Sequence, residues 1–117
     1  MAKRDVRSLF IDGEIVGQVQ MATSYPARLR GLLGTSPGCM PLLLSPANSV
    51  HGAGMTYTLD VASLDTEGVV VHVSRLHPFG LTRPRHGVTR VLEATAGDFT
   101  ALGITEGVIV AWSNETS

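Results

Sequence analysis

Cys39, Met40, His51 and Met55 bring a thiol, two thioethers and an imidazole into one short part of this chain. Donors of these kinds suit a soft cation such as copper(I). Spacing restricts that chemistry. On a strand, residues four apart such as His51 and Met55 lie about 13 Å from each other at ~3.3 Å per residue. They share an ion only if Gly52 and Gly54 turn the chain back sharply. The plainer reading makes Met55 a core side chain and His51 a strand-entry residue bound to backbone. On that reading there is no cofactor, and copper held by Cys39, His51 and Met55 is the alternative.

Two further groupings have chemical reach. Asp60 with His72, or Asp60 with Glu93 and a guanidinium from Arg28 or Arg30, would set a carboxylate beside an imidazole or a second carboxylate, the minimum for acid–base work. No motif places a serine or the cysteine beside them, and neither a Gly-x-Ser-x-Gly elbow nor a phosphate-binding glycine loop occurs. A small enzyme with an Asp/Glu/His site is therefore the runner-up to a polar cluster that fixes strand register. The other grouping is RLHPFGLTRPRHGVTR, residues 75–90. No acid lies between Gly68 and Glu93, whereas Arg75, Arg83, Arg85 and Arg90 are fixed cations with His72, His77 and His86 among them. Guanidinium forks match carboxylate and phosphate geometry, and Phe79 could stack on a base. The competing reading is a solvated loop whose arginines balance acids elsewhere on the surface.

Local signals indicate the elements that must position these groups. Ser8–Ile11 and Glu14–Val16 read as strands about an Asp12-Gly13 turn, because that dipeptide accepts the positive φ angles of a type I′ turn. Thr23 and Ser24 offer N-caps ahead of Pro26, and Leu29, Leu32 and Leu33 repeat at helical spacing, which predicts a helix from about Pro26 to Leu33 stopping at Gly34. Met40–Leu44 reads as a short buried strand, with Pro41 placing it at an edge or at a strand start. From Met55 the alternation puts Met55, Tyr57, Leu59 and Val61 on a core face and Thr56, Thr58, Asp60 and Ala62 on a partly wet one.

Gly68–Arg75 is the partner strand. A three-residue loop, Thr66-Glu67-Gly68, with glycine in the left-handed position, pairs Val61 with Val73, sets Asp60 opposite Ser74 and leaves Asp60 and His72 diagonal. Leu76–Gly87 reads as a loop, Val88–Ala94 as a strand, and Gly97–Gly103 as a short helical turn with Asp98 in its first turn. Val108–Trp112 is the last strand, and the tail from residue 113 is expected to fray. The sum is an α+β, mostly β domain: a compact, barrel-like curved sheet of six to seven short strands with one short helix and one helical turn.

Composition bounds the rest. A chain of 117 residues, 44% of them apolar, suits one domain (residues 1–117) around its own core. Nine Lys+Arg against ten Asp+Glu leave a formal charge of -1, so no overall field draws the protein to nucleic acid or to an anionic membrane. Cys39 is the only cysteine, which excludes an internal disulfide and a multi-thiolate zinc site and suits a reducing compartment. The start, MAKRDVRSLFIDGE, carries Lys3, Arg4, Asp5 and Arg7 and lacks the apolar run of a signal peptide. Apolar stretches such as Met40–Leu44 fall far short of the ~20 residues of a membrane span. The expectation is a cytoplasmic protein with no span.

Four blocks in order carry a resemblance: ATSYPARLRGLLG (Ala22–Gly34), SVHGAGMTYTLDVASLD (Ser49–Asp65), VLEATAG (Val91–Gly97) and LGITEGVIV (Leu102–Val110). Across roughly residues 20–112 the chain resembles the bacterial and archaeal family labelled domain of unknown function 192. That resemblance implies a compact β-barrel-like domain with a short helix, and no established activity. The positions it marks here are Arg28, Arg30, Gly31, His51, Met55, Asp60, Asp65, Glu93 and Gly97. The chain departs from the family's pattern at Gly52, where a larger residue is usual, at Thr58, where proline is common, and at Val108, where an acid often stands. Together the readings favour a non-enzymatic binding or accessory domain. Its partner would be a small polar or anionic ligand, or a protein, met near His51 and the 75–90 loop by residues drawn from His51, Asp60, His72, Arg75, Arg83, Arg85 and Glu93.

Overall fold

Asp12 and Gly13 both take positive φ, 51° and 84°. This is the geometry of a two-residue turn whose twist matches the strands it joins. Strands β1 (Asp5–Ile11) and β2 (Glu14–Ala22) accordingly form the expected antiparallel hairpin, with β2 running well beyond Val16. The computed structural model describes residues 5–114. Lys3 and Arg4 lie outside them, as do residues 115–117 of the tail, whereas the Ser113 N–H donates to Ser8 O at 3.1 Å and so joins the tail's first residue to β1.

The remaining elements are α1 (Tyr25–Arg30), β3 (Leu42–Leu44), β4 (Leu59–Leu64), β5 (Val70–Leu76), β6 (Arg90–Thr95), α2 (Asp98–Leu102) and β7 (Val110–Trp112). They build one seven-stranded sheet in the order β5-β4-β6-β3-β2-β1-β7. Every pairing is antiparallel except β2 with β3. The protein is thus α+β and mostly β. Its curved sheet brings the two edges together at a single bridge, Val69 with Ile109, and through bonds such as Val70 N–H to Val108 O at 2.9 Å, but no ladder closes it into a barrel. Among the described residues no helix is long and apolar enough to cross a membrane.

Both faces of the central strands are buried, which corrects the expectation of one wet face on β4. All six β4 residues are buried. Alternation sends Ala62 and Leu64 into one core with Leu9, Leu92 and Phe99, and Leu59 and Val61 into a second with Leu32, Leu44 and Met55. The short β3 is central, so of the two places that Pro41 allowed the strand start is the one taken. Its proline is harmless because Pro41 precedes the paired residues and only its carbonyl is used, accepting from Gln20 N–H at 2.8 Å.

The β4–β5 register also differs from expectation. The three-residue loop forms, with Gly68 at φ 85°, and Leu64 pairs with Val70 as that loop requires. Between Ser63 and Leu64 the register then slips by one residue. Beyond the slip Val61 faces Ser74 and Asp60 faces Arg75 rather than Ser74. An irregularity of this kind adds a residue to one strand and changes every pairing downstream of it.

Candidate functional site

Helix α1 is started by Ser24, whose Oγ accepts from Ala27 N–H at 3.3 Å, with Pro26 in the first turn. It ends at Gly31 rather than Gly34. Gly31 takes φ 53°, and a Cβ there would lie 3.2 Å from Glu93 Oε1, so only glycine lets the helix end rest on that carboxylate. The break removes the helical register of the leucines. Leu32 swings into the second core, while Leu29 and Leu33 stay exposed.

Opposite α1, residues 55–58 do not join the strand that the alternation from Met55 suggests. The Met55 N–H donates to Gly52 O at 3.0 Å, Gly54 takes φ 83°, and strand pairing resumes only at Leu59. This turn is the chain reversal needed to bring His51 and Met55 to one place. Between α1 and residues 46–55 a cleft of about 360 Å³ opens. Its floor is made by buried side chains, Leu32, Leu44, Met55, Leu59 and the carboxylate-bearing Glu93, which is 3% exposed. Arg28, Arg30, Asn48, Ser49 and His51 stand on its walls and at its mouth. Arg28 Nη1 donates to Pro46 O at 3.0 Å and ties the helix to the facing wall.

Beneath this region Tyr57 Oη lies 2.7 Å from Thr35 Oγ1 and 3.4 Å from Cys39 Sγ. Burial, with the contact to Cys39, raises the phenol above its ordinary value, and the nearby Glu93 charge acts in the same direction. A phenol held neutral in the fold stabilises it fully below the unfolded tyrosine value near 10, and that contribution is lost as pH rises through the folded value. Tyr57→Phe is therefore expected to cost about 1 kcal/mol at neutral pH and to flatten the fall in stability above pH ~10. Urea unfolding at stepped alkaline pH measures both. An unchanged alkaline slope would contradict the assignment.

The other sequence candidates are dispersed. Glu93 and His51 share the cleft, and Met55 joins them, but Cys39 is not among its lining residues. Asp60 is on the other face of the sheet: its Oδ2 accepts from Gly97 N–H at 2.8 Å and Phe99 N–H at 3.1 Å, and its Oδ1 lies 3.4 Å from Arg75 Nε. Because Val61 pairs with Glu93, and Asp60 with Ala94, strand alternation separates the Asp60 and Glu93 carboxylates by the sheet itself. His72 faces Ser63 and pairs with Glu106 at 3.5 Å, so it does not meet Asp60. Arg83 and Arg85 are exposed on the loop after β5, outside the cleft. Among the described residues no group of three or more His, Cys, Asp or Glu is placed to hold a metal ion.

The sequence reading missed Asn48, Ser49, Leu29 and Leu33 as lining residues. Nothing local marks the first two, and helical spacing disguised the leucines as core. Gly52, one of the departures from the family pattern, has a structural counterpart: the space where its Cβ would stand is taken by the His77 carbonyl.

Comparison with known proteins agrees with this architecture. A protein of Sinorhizobium meliloti described as a "putative transcription regulator" superposes with a TM-score of 0.83 at 17% identity, covering 96% of this chain and 97% of that one. A protein of unknown function from Novosphingobium aromaticivorans superposes with a TM-score of 0.72 at 21% identity, over 92% of this chain and 84% of that one. At such identities the likeness is one of fold. In sequence, a UPF0127 protein of Pyrococcus abyssi is 29% identical over 101 residues, 82% of this chain and 86% of the relative. The DUF192 model, described as Uncharacterized ACR, COG1430, matches residues 8–112. With that match running through nearly the whole sheet and both walls of the cleft, the chain belongs to the DUF192 family, whose function is uncharacterised.

Proposed function

We propose that the protein is a binding domain for a small anionic molecule held in the cleft between α1 and residues 46–55. The supporting observation is the convergence of Arg28, Arg30 and His51, with the polar Asn48 and Ser49, on one cavity whose floor is mainly apolar. A volume near 360 Å³ is at the lower end of the ~300–1,000 Å³ range of small-molecule sites, and an apolar floor with a few convergent polar groups is their usual composition. Burial of Glu93 at the floor keeps the ligand's charge toward the mouth, on the side of the exposed Arg30 and His51. The apolar part of the ligand then rests against Leu32, Leu44 and Met55.

Amide NMR titration with inorganic phosphate, phosphate monoesters and short aliphatic carboxylates tests this reading. Saturable shifts are expected in residues 28–33 and 46–55. Arg30→Gln and His51→Gln should each weaken the best anion about tenfold or more, since a charge-assisted hydrogen bond contributes about 1.5–3 kcal/mol. A cleft whose amides do not move with any of these anions would remove the proposal.

A further inference from the structure

The loop after β5 presents Phe79 in a way that packing does not explain. Gly80 N–H donates to His77 O at 2.8 Å, closing a turn with Pro78 at its second position and Phe79 at its third. Phe79 has φ 66°, where such a turn takes glycine or asparagine. Phe79 is 81% exposed, and Leu81 is 71% exposed. An aromatic residue held in a left-handed conformation and left in water contributes nothing to the core that would offset either cost.

Backbone hydrogen bonds hold this presentation. Phe79 N–H donates to Gly52 O at 3.0 Å, Gly52 N–H to Gly80 O at 2.7 Å and Thr82 N–H to Val50 O at 2.8 Å, so residues 50–52 and 79–82 form a short ribbon that ends at the cleft wall. His51 is the bridge partner of Leu81. Arg83 and Arg85 follow directly, and among the described residues no carboxylate lies within ion-pair distance of either. The chain carries no acid from Val69 to Leu92. Exposed aromatic and arginine residues within one short loop match the composition of interface anchors.

We propose that Phe79, Leu81, Arg83 and Arg85 form a docking ridge for an acidic segment of a partner protein, with an apolar side chain of that segment seated against Phe79 and Leu81 and its carboxylates meeting the two arginines. Charge complementarity selects this occupant: a basic or neutral segment leaves the arginines unanswered, and a second copy of this chain would bring the same cations face to face. The ridge is independent of anion binding in the cleft.

The test uses the full chain and three synthetic ten-residue peptides, alternating Glu–Leu, Glu–Ser and Lys–Leu, in amide NMR titrations at about 0.1 M salt. The Glu–Leu peptide is expected to shift residues 77–85 saturably. The Glu–Ser and Lys–Leu peptides should bind at least tenfold more weakly, and Phe79→Ala should weaken Glu–Leu by tenfold or more while leaving phosphate and carboxylate titrations of the cleft unchanged. No Glu–Leu binding, binding indifferent to Phe79→Ala, or equal binding of Lys–Leu overturns the proposal. So does a dimer in sedimentation that Phe79→Ala dissolves, which would make a second copy the occupant. Phe79→Gly supplies a separate check: relief of the left-handed conformation should raise Tm by about 3 °C, and a fall would show that Phe79 serves the fold.

Discussion

Asp60→Ala is expected to destabilise the protein by about 2–4 kcal/mol, at about 1–3 kcal/mol for each N–H group left without its acceptor. Asp60 is 5% exposed on β4. Its Oδ2 accepts the Gly97 and Phe99 N–H groups, so a strand residue distant in sequence caps α2, whose own N-cap, Gly97, has no side chain to do so. Removing the carboxylate leaves two N–H groups at the helix start without an acceptor and loosens Phe99, which packs in the first core beside Leu92 and Ala94. Asp60→Asn keeps an oxygen acceptor and should cost about half as much. Arg75→Ala should cost no more than about 0.5 kcal/mol, because that side chain is 61% exposed and its ion pair with Asp60 is screened by solvent. Urea unfolding with an unchanged m-value distinguishes the three. If Asp60→Ala costs less than about 1 kcal/mol, or if Arg75→Ala matches it, the carboxylate is not acting as the cap.

Gly52→Ala is expected to cost about 2–3 kcal/mol, as overpacking against a fixed neighbour does. The Cβ would meet the His77 carbonyl oxygen and crowd Phe79 N, both backbone atoms that cannot rotate aside. The backbone angle at Gly52 is not in the left-handed range, so alanine suits the local conformation and the effect isolates space alone. Two loops must separate, and the bonds that join Gly52 to Phe79 and Gly80, and Val50 to Thr82, lengthen together. Amide exchange at Gly52, Phe79 and Thr82 should therefore accelerate by more than exchange in β4 and β6 does, since the ribbon opens before the sheet. Gly107→Ala gives the contrast. It has φ 93° and nothing within 4 Å of a Cβ, so its cost of about 1 kcal/mol is conformational and leaves the ribbon's exchange unaltered. Equal exchange changes in the ribbon and the central strands after Gly52→Ala would show that the two loops are not a separate unit.

Local chemistry was legible where a few neighbouring residues decide the backbone. Asp12-Gly13 made the first turn, Ser24 with Pro26 started α1, and Gly68 shaped the β4–β5 loop, since each acts through its own φ angle or its own hydroxyl. Asp98 to Gly103 was legible for the same reason, and the four ordered blocks pointed to the family. Where the outcome depended on contacts across the chain, the same sequence allowed more than one answer. Helical spacing of Leu29, Leu32 and Leu33 did not reveal that Gly31 would end the helix on the Glu93 carboxylate. Alternation from Met55 looked like strand, although Gly52 and Gly54 fold those residues over the cleft.

Periodicity reports which residues share a face only after the register is known, and a single slip at Ser63/Leu64 moved Arg75 opposite Asp60 and His72 away from it. The central position of β3, the separation of Asp60 from Glu93 by the sheet, and the cleft itself follow from strand order. Strand order is a property of long-range pairing, which many sequences with these local signals could satisfy differently. The residues alone determined the first turn, the β4–β5 loop, the start of α1 and the family of this protein. Tertiary structure decided which of its charged side chains hold the fold and which face a space that a ligand can enter, because burial and partnership are assigned only when distant segments meet.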